Sequence, residues 1–167
     1  MKKLLTTAFA MLFVVAMAHA QGALKRVYDE KADPMVQIDK ALAKAKAESK
    51  YVVCQVGGNW CPWCLRFADF AEKDTLVRKT VDDSFVLVHV NYNPRKSGGD
   101  EAMAKAAKLM LRLGNPARFG FPVFVVLDAD GNVLHIQDSS FLEEGQGYSQ
   151  KKTLRFFKNW TPEAVRK

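Results

Sequence analysis

The sequence has few cysteines, no repeats and no low-complexity segments, so it lacks the features of non-globular and disulfide-rich proteins. Its 167 residues include three cysteines, too few for a small fold held together by disulfides. It contains no internal repeat and no low-complexity segment, which excludes repeat arrays and disordered tracts. Hydrophobic residues make up 49% and charged residues 26%, so a chain of this length can bury a core without disulfide staples. One globular domain is therefore expected.

The chain also lacks a continuous basic run, although its formal net charge is +7. The Lys and Arg residues are dispersed, mostly beside acidic residues on helical patterns, and no basic segment is interleaved with aromatic residues. This pattern is typical of a solvated surface rather than of a nucleic-acid interface. Nucleic acid is therefore not an expected partner, while an acidic partner surface remains open.

The amino terminus has the pattern of a secretory signal peptide. Lys2 and Lys3 make the start basic, residues 4–17 are almost wholly apolar, and Ala18-His19-Ala20 has the small-x-small form that signal peptidase accepts. The apolar stretch of about 14 residues is shorter than the ~20 needed to span a bilayer. We therefore expect residues 1–20 to be removed and 21–167 to form a periplasmic or secreted domain without stable membrane insertion. A retained membrane anchor is the alternative.

The rest of the chain predicts alternating helices and strands. Helices are predicted over 34–48, from 62 to 73, from 74 or 75 towards 81, over 100–113 and over 150–159. Strands are predicted over 51–56, 85–90, 121–127 and 133–137, with turn-rich loops at 91–99 and 138–148. The order α-β-α-β-α-β-β-α predicts an α/β fold with a central mixed β-sheet flanked by helices. The βαβ units predict parallel pairing, and the final hairpin an antiparallel strand.

The most informative motif is Cys61-Pro62-Trp63-Cys64. Cys61 ends the loop after the first strand, and Cys64 lies in the first turn of the next helix. Two intervening residues allow the two sulfurs to meet once the helix turns. The free N–H groups and the dipole at a helix amino terminus stabilise a thiolate, which favours Cys61 as nucleophile and Cys64 as resolving thiol.

Other uses of this spacing are less favoured. A zinc site needs two further ligands at short spacing, and none follows here. Haem attachment requires a histidine after the second cysteine, and the residue there is Leu65. A purely structural disulfide is a further possibility in an exported protein. However, a Cys61–Cys64 bond would close a very short loop and so would restrict little of the unfolded chain. The motif therefore favours a redox-active dithiol over a structural disulfide.

Residues 30–160 resemble the thioredoxin superfamily. The likeness rests on the segments YVVCQV, WCPWC, FVLVHVN and GFPVFVVLDADGNV in this order. Within the superfamily, the sequence of these segments resembles exported thiol–disulfide oxidoreductases, including the carboxy-terminal domains of DsbD-type proteins. The resemblance implies a thioredoxin fold and disulfide exchange with protein substrates. It implies no organic cofactor and no metal. Because the cell envelope is oxidising, we also expect a membrane or envelope partner that restores the reduced dithiol.

The same resemblance assigns residues around the dithiol. It places a cis-proline at Pro122, next to Phe121, where the family shapes its substrate groove beside the cysteines. Trp60 is expected to pack on the site. Trp63 occupies the exposed turn, where it either contacts substrate or only lines the site.

Two departures from the family pattern concern proton transfer. Thioredoxins commonly carry a buried acid six residues before the first cysteine, and Gln55 occupies that position here. A lysine often lies on the neighbouring strand, where this chain has His89. His89 is either a titratable modulator of the dithiol or a histidine satisfied within its strand. No histidine lies between the cysteines, which favours a reductant or moderate isomerase over a strong oxidant.

The role of Cys54 and an alternative function for the whole domain also need to be considered. Cys54, in the middle of a valine-rich strand, is expected to be a buried small hydrophobe rather than a third redox thiol. A thioredoxin-fold binding or scaffold module with a structural or vestigial disulfide is the alternative function. Its interface would use segments 93–115 and 138–148.

Overall fold

The computed structural model describes residues 24–93 and 99–166. The predicted signal peptide at 1–20 lies outside these residues, as do residues 94–98 of the predicted loop. Within the described ranges, no helix is both long enough and apolar enough to cross a membrane.

The observed elements follow the predicted order closely. Asp33 caps the first helix, accepting hydrogen bonds from the backbone N–H groups of Met35 and Val36. The helices are α1 Pro34–Ala47, α2 Pro62–Lys73, α3 Thr75–Ser84, α4 Asp100–Arg112, α5 Gln150–Asn159 and α6 Pro162–Val165. The strands are β1 Tyr51–Gly57, β2 Phe85–Asn91, β3 Val123–Leu127, β4 Val133–Asp138, β5 Glu143–Glu144 and β6 Gly147–Tyr148.

The main sheet has the order β2-β1-β3-β4 and is mixed, which confirms the predicted fold class. Strands β1 and β2 pair in parallel, while β3 runs antiparallel to both β1 and β4. The prediction of parallel pairing was therefore wrong for the unit that runs through α4. The connection between α4 and β3 contains a 3-10 turn at Pro116–Phe119, and β3 then begins with Val123 paired to Val56 at the end of β1. Helical periodicity predicts the helix α4 but not the path of this connection.

The core lies on both faces of the sheet, because alternate residues of β1 point to opposite sides. Val52, Cys54 and Val56 pack on one face with residues of α1 and α4. Val53 packs on the other face in an aromatic-rich cluster from α2, α3, β3 and α5. Gln55 also points to this second face, towards α2.

Several predicted element ends differ from the structure by one to three residues, and two of the differences concern the surroundings of the cysteine pair. Strand β3 begins at Val123 rather than at Phe121, because Pro122 has no N–H to donate to a sheet ladder. The segment 138–148 is more ordered than the predicted loop, since it contains a 3-10 turn at Ser139–Leu142 and the β5–β6 hairpin. The hairpin ends at Tyr148, which packs against α2 in the second core cluster.

Candidate active site at the amino terminus of helix α2

The two motif cysteines form a disulfide at the start of α2. Cys61 and Cys64 are joined through their sulfurs, with their Cα atoms 5.2 Å apart. Cys61 is the N-cap residue, and Pro62 occupies the first helical position, where its missing N–H costs no helical hydrogen bond. Cys61 is 5% exposed, whereas Cys64 is fully buried. The structure therefore brings the predicted pair together in unequal surroundings.

The helix terminus acts on Cys61 in particular. The backbone N–H of Cys64 donates a hydrogen bond to Sγ of Cys61 over 3.1 Å. This N–H is one of the groups without an intrahelical partner at a helix start, and it lies at the positive end of the dipole. The same donor would stabilise negative charge on the Cys61 sulfur after reduction.

The end of β1 comes so close to the disulfide that only glycine fits there. A Cβ built on Gly57 would lie 2.4 Å from Sγ of Cys64. At Gly58, the added Cβ would lie 2.2 Å from Nε1 of Trp60. The backbone carbonyl of Gly57 accepts a hydrogen bond of 2.6 Å from the N–H of Tyr92, which ties the ends of β1 and β2 together. The two glycines therefore allow the sheet to support the dithiol directly.

An aromatic surface borders the disulfide on one side. Trp60 is 43% exposed and donates a hydrogen bond from Nε1 to the carbonyl of Tyr92 over 3.2 Å. Its ring meets Phe121 edge to face at 5.4 Å, and Tyr92 lies at the same centroid distance from Phe121. Phe121 in turn packs against the disulfide. The structure thus places Trp60 and Phe121 beside the cysteines.

Trp63, which also packs against the cluster of Tyr28 and the two cysteines, is held by contacts with Tyr148 and Arg66. Its ring meets Tyr148 edge to face at 5.7 Å, and the Tyr148 hydroxyl donates a hydrogen bond to the Trp63 carbonyl over 3.2 Å. The Arg66 guanidinium lies 4.8 Å from the centre of the Trp63 ring. These contacts show how Trp63 is fixed. A contact between Trp63 and substrate stays a prediction. Sequence reasoning did not identify Tyr148, because it lies in the segment expected to be a loop.

The Phe121–Pro122 peptide bond is cis, as the resemblance implied. Pro122 is buried and directly precedes β3. Its expected place in a substrate groove beside the cysteines stays a prediction.

Behind the disulfide lies a buried polar group of side chains. Gln55 is fully buried and donates a hydrogen bond from Nε2 to the carbonyl of Cys64 over 2.8 Å. It pairs with His89 in the parallel register of β1 and β2, which places the two residues side by side. Burial lowers the pKa of His89 to about 4, so the imidazole is neutral at pH 7. Gln55 therefore orients the helix turn that carries Cys64, a role that its position alone did not reveal.

Tyr28 completes this group and was missed from the sequence. It is 4% exposed, packs against both cysteines and meets the His89 ring edge to face at 5.4 Å. Asn59 holds its backbone in place: the side-chain oxygen accepts hydrogen bonds from the N–H groups of Val27 and Tyr28, and the side-chain amide donates to the Tyr28 carbonyl. No periodic pattern marks the segment before α1, so no sequence signal pointed to Tyr28.

Cys54 lies apart from this site. It is buried on the other face of β1, and burial raises the pKa of its thiol to about 12. This placement agrees with its interpretation as a small core residue. Within the described ranges, no three His, Cys, Asp or Glu side chains are grouped so as to hold a metal ion.

Comparison with known proteins gives the same family. Residues 33–129 match the family model described as thioredoxin-like. The chain is similar to a solved structure described as a disulphide isomerase from Xylella fastidiosa Temecula1, with 27% identity and a TM-score of 0.64. That match covers 82% of this chain and 98% of the other. A structure described as DsbH oxidoreductase has 24% identity and a TM-score of 0.47, and that match covers 65% of this chain and 72% of the other. No curated protein matches.

The family match covers more than half of the chain and includes β1, the cysteine pair, α2, β2 and β3. The likeness to a disulphide isomerase, together with the Cys61–Cys64 disulfide, supports a redox enzyme role of a general kind. The chain therefore belongs to the thioredoxin-like family.

Proposed function

We propose that this protein is an exported thiol–disulfide oxidoreductase in which Cys61 and Cys64 form the redox centre. The observation that carries this proposal is the hydrogen bond from the N–H of Cys64 to Sγ of Cys61 at the start of α2. It gives one sulfur a donor suited to a thiolate, while the other sulfur is fully buried behind it. A disulfide that serves only as a staple does not need this asymmetry.

The reaction needs only the two thiols of the reduced protein. The Cys61 thiolate attacks one sulfur of a substrate disulfide and forms a mixed disulfide, while the other substrate sulfur leaves as a thiolate and takes up a proton. Cys64 then loses its proton and attacks Sγ of Cys61, which releases the second substrate sulfur as a thiolate. Two electrons pass to the substrate, and the Cys61–Cys64 disulfide closes. The reverse sequence oxidises a substrate dithiol.

The aromatic surface supports a protein substrate rather than a small thiol. Trp60 is 43% exposed, and Phe121 connects Trp60 to the cluster of Tyr28 and the two cysteines. Exposed aromatic groups next to a reactive centre favour contact with apolar side chains of a polypeptide. Pro122, cis and buried beside this surface, is assigned to the groove that holds the substrate backbone.

Export and recycling complete the proposal. The signal-peptide pattern at 1–20 supports a periplasmic or secreted domain, in an oxidising compartment. A protein that reduces disulfides there needs electrons from a membrane or envelope partner that restores Cys61 and Cys64 to thiols. The dispersed charge of the chain supports no role in nucleic-acid binding.

Insulin reduction under dithiothreitol tests the activity. The wild-type protein should accelerate precipitation of the insulin B chain, and the Cys61→Ser variant should lose this acceleration. A Cys54→Ala variant is the matched control, since it removes a cysteine on the opposite face of β1. No acceleration by the wild-type protein would overturn the proposal and favour the binding or scaffold module.

A further inference from the structure

The polar group behind the dithiol contains hydroxyl, amide and imidazole atoms without partners. Oη of Tyr28, Oε1 of Gln55 and Nε2 of His89 are buried and make no hydrogen bond among the described residues. Buried polar atoms are normally paired, and an unpaired one calls for an explanation. Three such atoms lie together beside one disulfide, and each can take part in a further hydrogen bond.

The Tyr28 hydroxyl lies near the Cys64 sulfur at the end of β1. A Cβ built on Gly57 would lie 2.4 Å from Sγ of Cys64 and 3.2 Å from Oη of Tyr28. The sulfur and the hydroxyl oxygen are therefore both close to Gly57. Tyr28, Cys61 and Cys64 also form one packed cluster. The hydroxyl and the buried Cys64 sulfur therefore both lie close to the end of β1.

The neighbours of Tyr28 leave its hydroxyl available. Gln55 approaches closely enough to lower the pKa of the hydroxyl against the larger, opposite effect of burial, but the two side chains do not reach ordinary hydrogen-bond geometry. The Gln55 amide nitrogen is already occupied by the Cys64 carbonyl. Burial raises the pKa of Tyr28, so the phenol keeps its proton at neutral pH and can act as a donor.

We propose that Tyr28 is a positioning residue for Cys64, whose hydroxyl donates a hydrogen bond to the Cys64 sulfur when the disulfide is open. The inference rests on the proposed function and concerns the same dithiol. Reduction adds two electrons and two protons to the disulfide and frees the Cys64 sulfur from its bond to Cys61. A free thiol is a weak acceptor and a thiolate a strong one, so the hydroxyl gains a partner that the closed disulfide does not give it.

This arrangement has a defined thermodynamic direction. An unpaired donor destabilises the oxidised state, and the new hydrogen bond stabilises the reduced state. Tyr28 therefore shifts the equilibrium towards the dithiol. It also favours the Cys64 thiolate, the form that resolves the mixed disulfide.

The test is a redox titration of purified Tyr28→Phe against a glutathione buffer at fixed pH, with the thiol content read by alkylation and intact mass. Phenylalanine keeps the ring that packs on the cysteines and removes only the hydroxyl. We expect the equilibrium constant for reduction to fall about tenfold, which corresponds to a potential about 30 mV more negative. Tyr51→Phe, the same change at the far end of β1, is the control and should leave the constant unchanged.

A second readout separates positioning from packing. In a Cys61→Ala background, removal of the Tyr28 hydroxyl should raise the pKa of the Cys64 thiol, while Tyr51→Phe should not. Site-specific replacement of Tyr28 by fluorotyrosine, a stronger donor, should shift the potential in the opposite direction to phenylalanine. A change of less than twofold in the Tyr28→Phe equilibrium constant, or an equal change in Tyr51→Phe, would overturn the inference. The titration requires no substrate turnover, so it remains readable even if insulin reduction fails.

Discussion

The backbone N–H of Cys64 donates to Sγ of Cys61, and this single contact makes the two cysteines chemically unequal. It arises because Cys61 caps α2 while Cys64 lies within its first turn. The sulfur at the cap faces the free N–H groups of the helix, and the sulfur inside the turn faces Tyr28 and the end of β1. Each thiol therefore has its own donor and its own proposed task.

Gly57→Ala should disrupt the contact between the sheet and the dithiol. The added methyl group would lie 2.4 Å from the buried Cys64 sulfur, and overpacking of this kind costs about 1–3 kcal/mol. We expect a matching loss in the free energy of unfolding of the oxidised protein, measured by denaturant titration. Gly147→Ala is the control, since nothing lies within 4 Å of its added Cβ. Equal stability of the two variants would contradict the close approach.

The stability of the fold should depend on pH through His89. Its pKa is about 4 in the folded protein, against about 6.5 when unfolded, so between these values the unfolded chain binds more protons. Stability contributed by neutral His89 is therefore present above pH 6.5 and is lost as the pH falls towards 4, by about 1–3 kcal/mol after partial solvent screening.

The measurement is denaturant unfolding of the wild-type protein and His89→Gln between pH 7 and 4. The difference between the two curves isolates His89 from the carboxylates that titrate in the same range. The variant should lose less stability than the wild type as the pH falls. Parallel curves would show that burial does not suppress protonation of His89.

Cys54 should be unreactive in the native protein. Its thiol is fully buried and its pKa is raised to about 12, so almost none is thiolate at neutral pH. Iodoacetamide treatment of the reduced native protein should therefore modify at most two of the three cysteines, with the third modified only after denaturation. Peptide mass spectrometry identifies the protected residue. Modification of Cys54 under native conditions would contradict its placement in the core.

Trp60→Ala should weaken exchange with protein substrates selectively. The exposed indole extends the apolar surface beside the disulfide, and its removal should lower kcat/KM for insulin about tenfold, as for a lost aromatic contact. The rate with a small disulfide such as oxidised glutathione should change little. Leu111→Ala, at an exposed apolar residue on α4, is the control for loss of surface hydrophobicity. A parallel loss with both disulfides would show that Trp60 acts on the dithiol itself.

The sequence was most informative where one local pattern decides the structure. The spacing of Cys61 and Cys64 and the strand before them predicted the disulfide site at a helix start, and the family likeness predicted the cis bond before Pro122. These features depend on neighbouring residues. The sheet arrangement was predicted only in part, because the antiparallel entry of β3 depends on the path of a long connection.

The polar surroundings of the dithiol were harder to predict, because they combine distant segments. Tyr28 reaches the cysteines from the chain before α1, where Asn59 holds it, and Tyr148 reaches α2 from the β5–β6 hairpin. Neither contact leaves a periodic pattern in the sequence. Gln55 was identified by its position, but its hydrogen bond to the Cys64 carbonyl required the structure.

Trapping of the mixed disulfide tests the division of labour between the two cysteines most directly. Purified Cys64→Ser and Cys61→Ser proteins are incubated with a disulfide-bonded protein substrate, quenched with acid and separated by non-reducing electrophoresis, and each adduct is mapped by mass spectrometry. Cys64→Ser should accumulate substrate bound to Cys61, because no thiol remains to resolve the bond. Cys61→Ser should trap none. Equal trapping by both variants, adducts on Cys54, or no adduct in either variant would contradict the account.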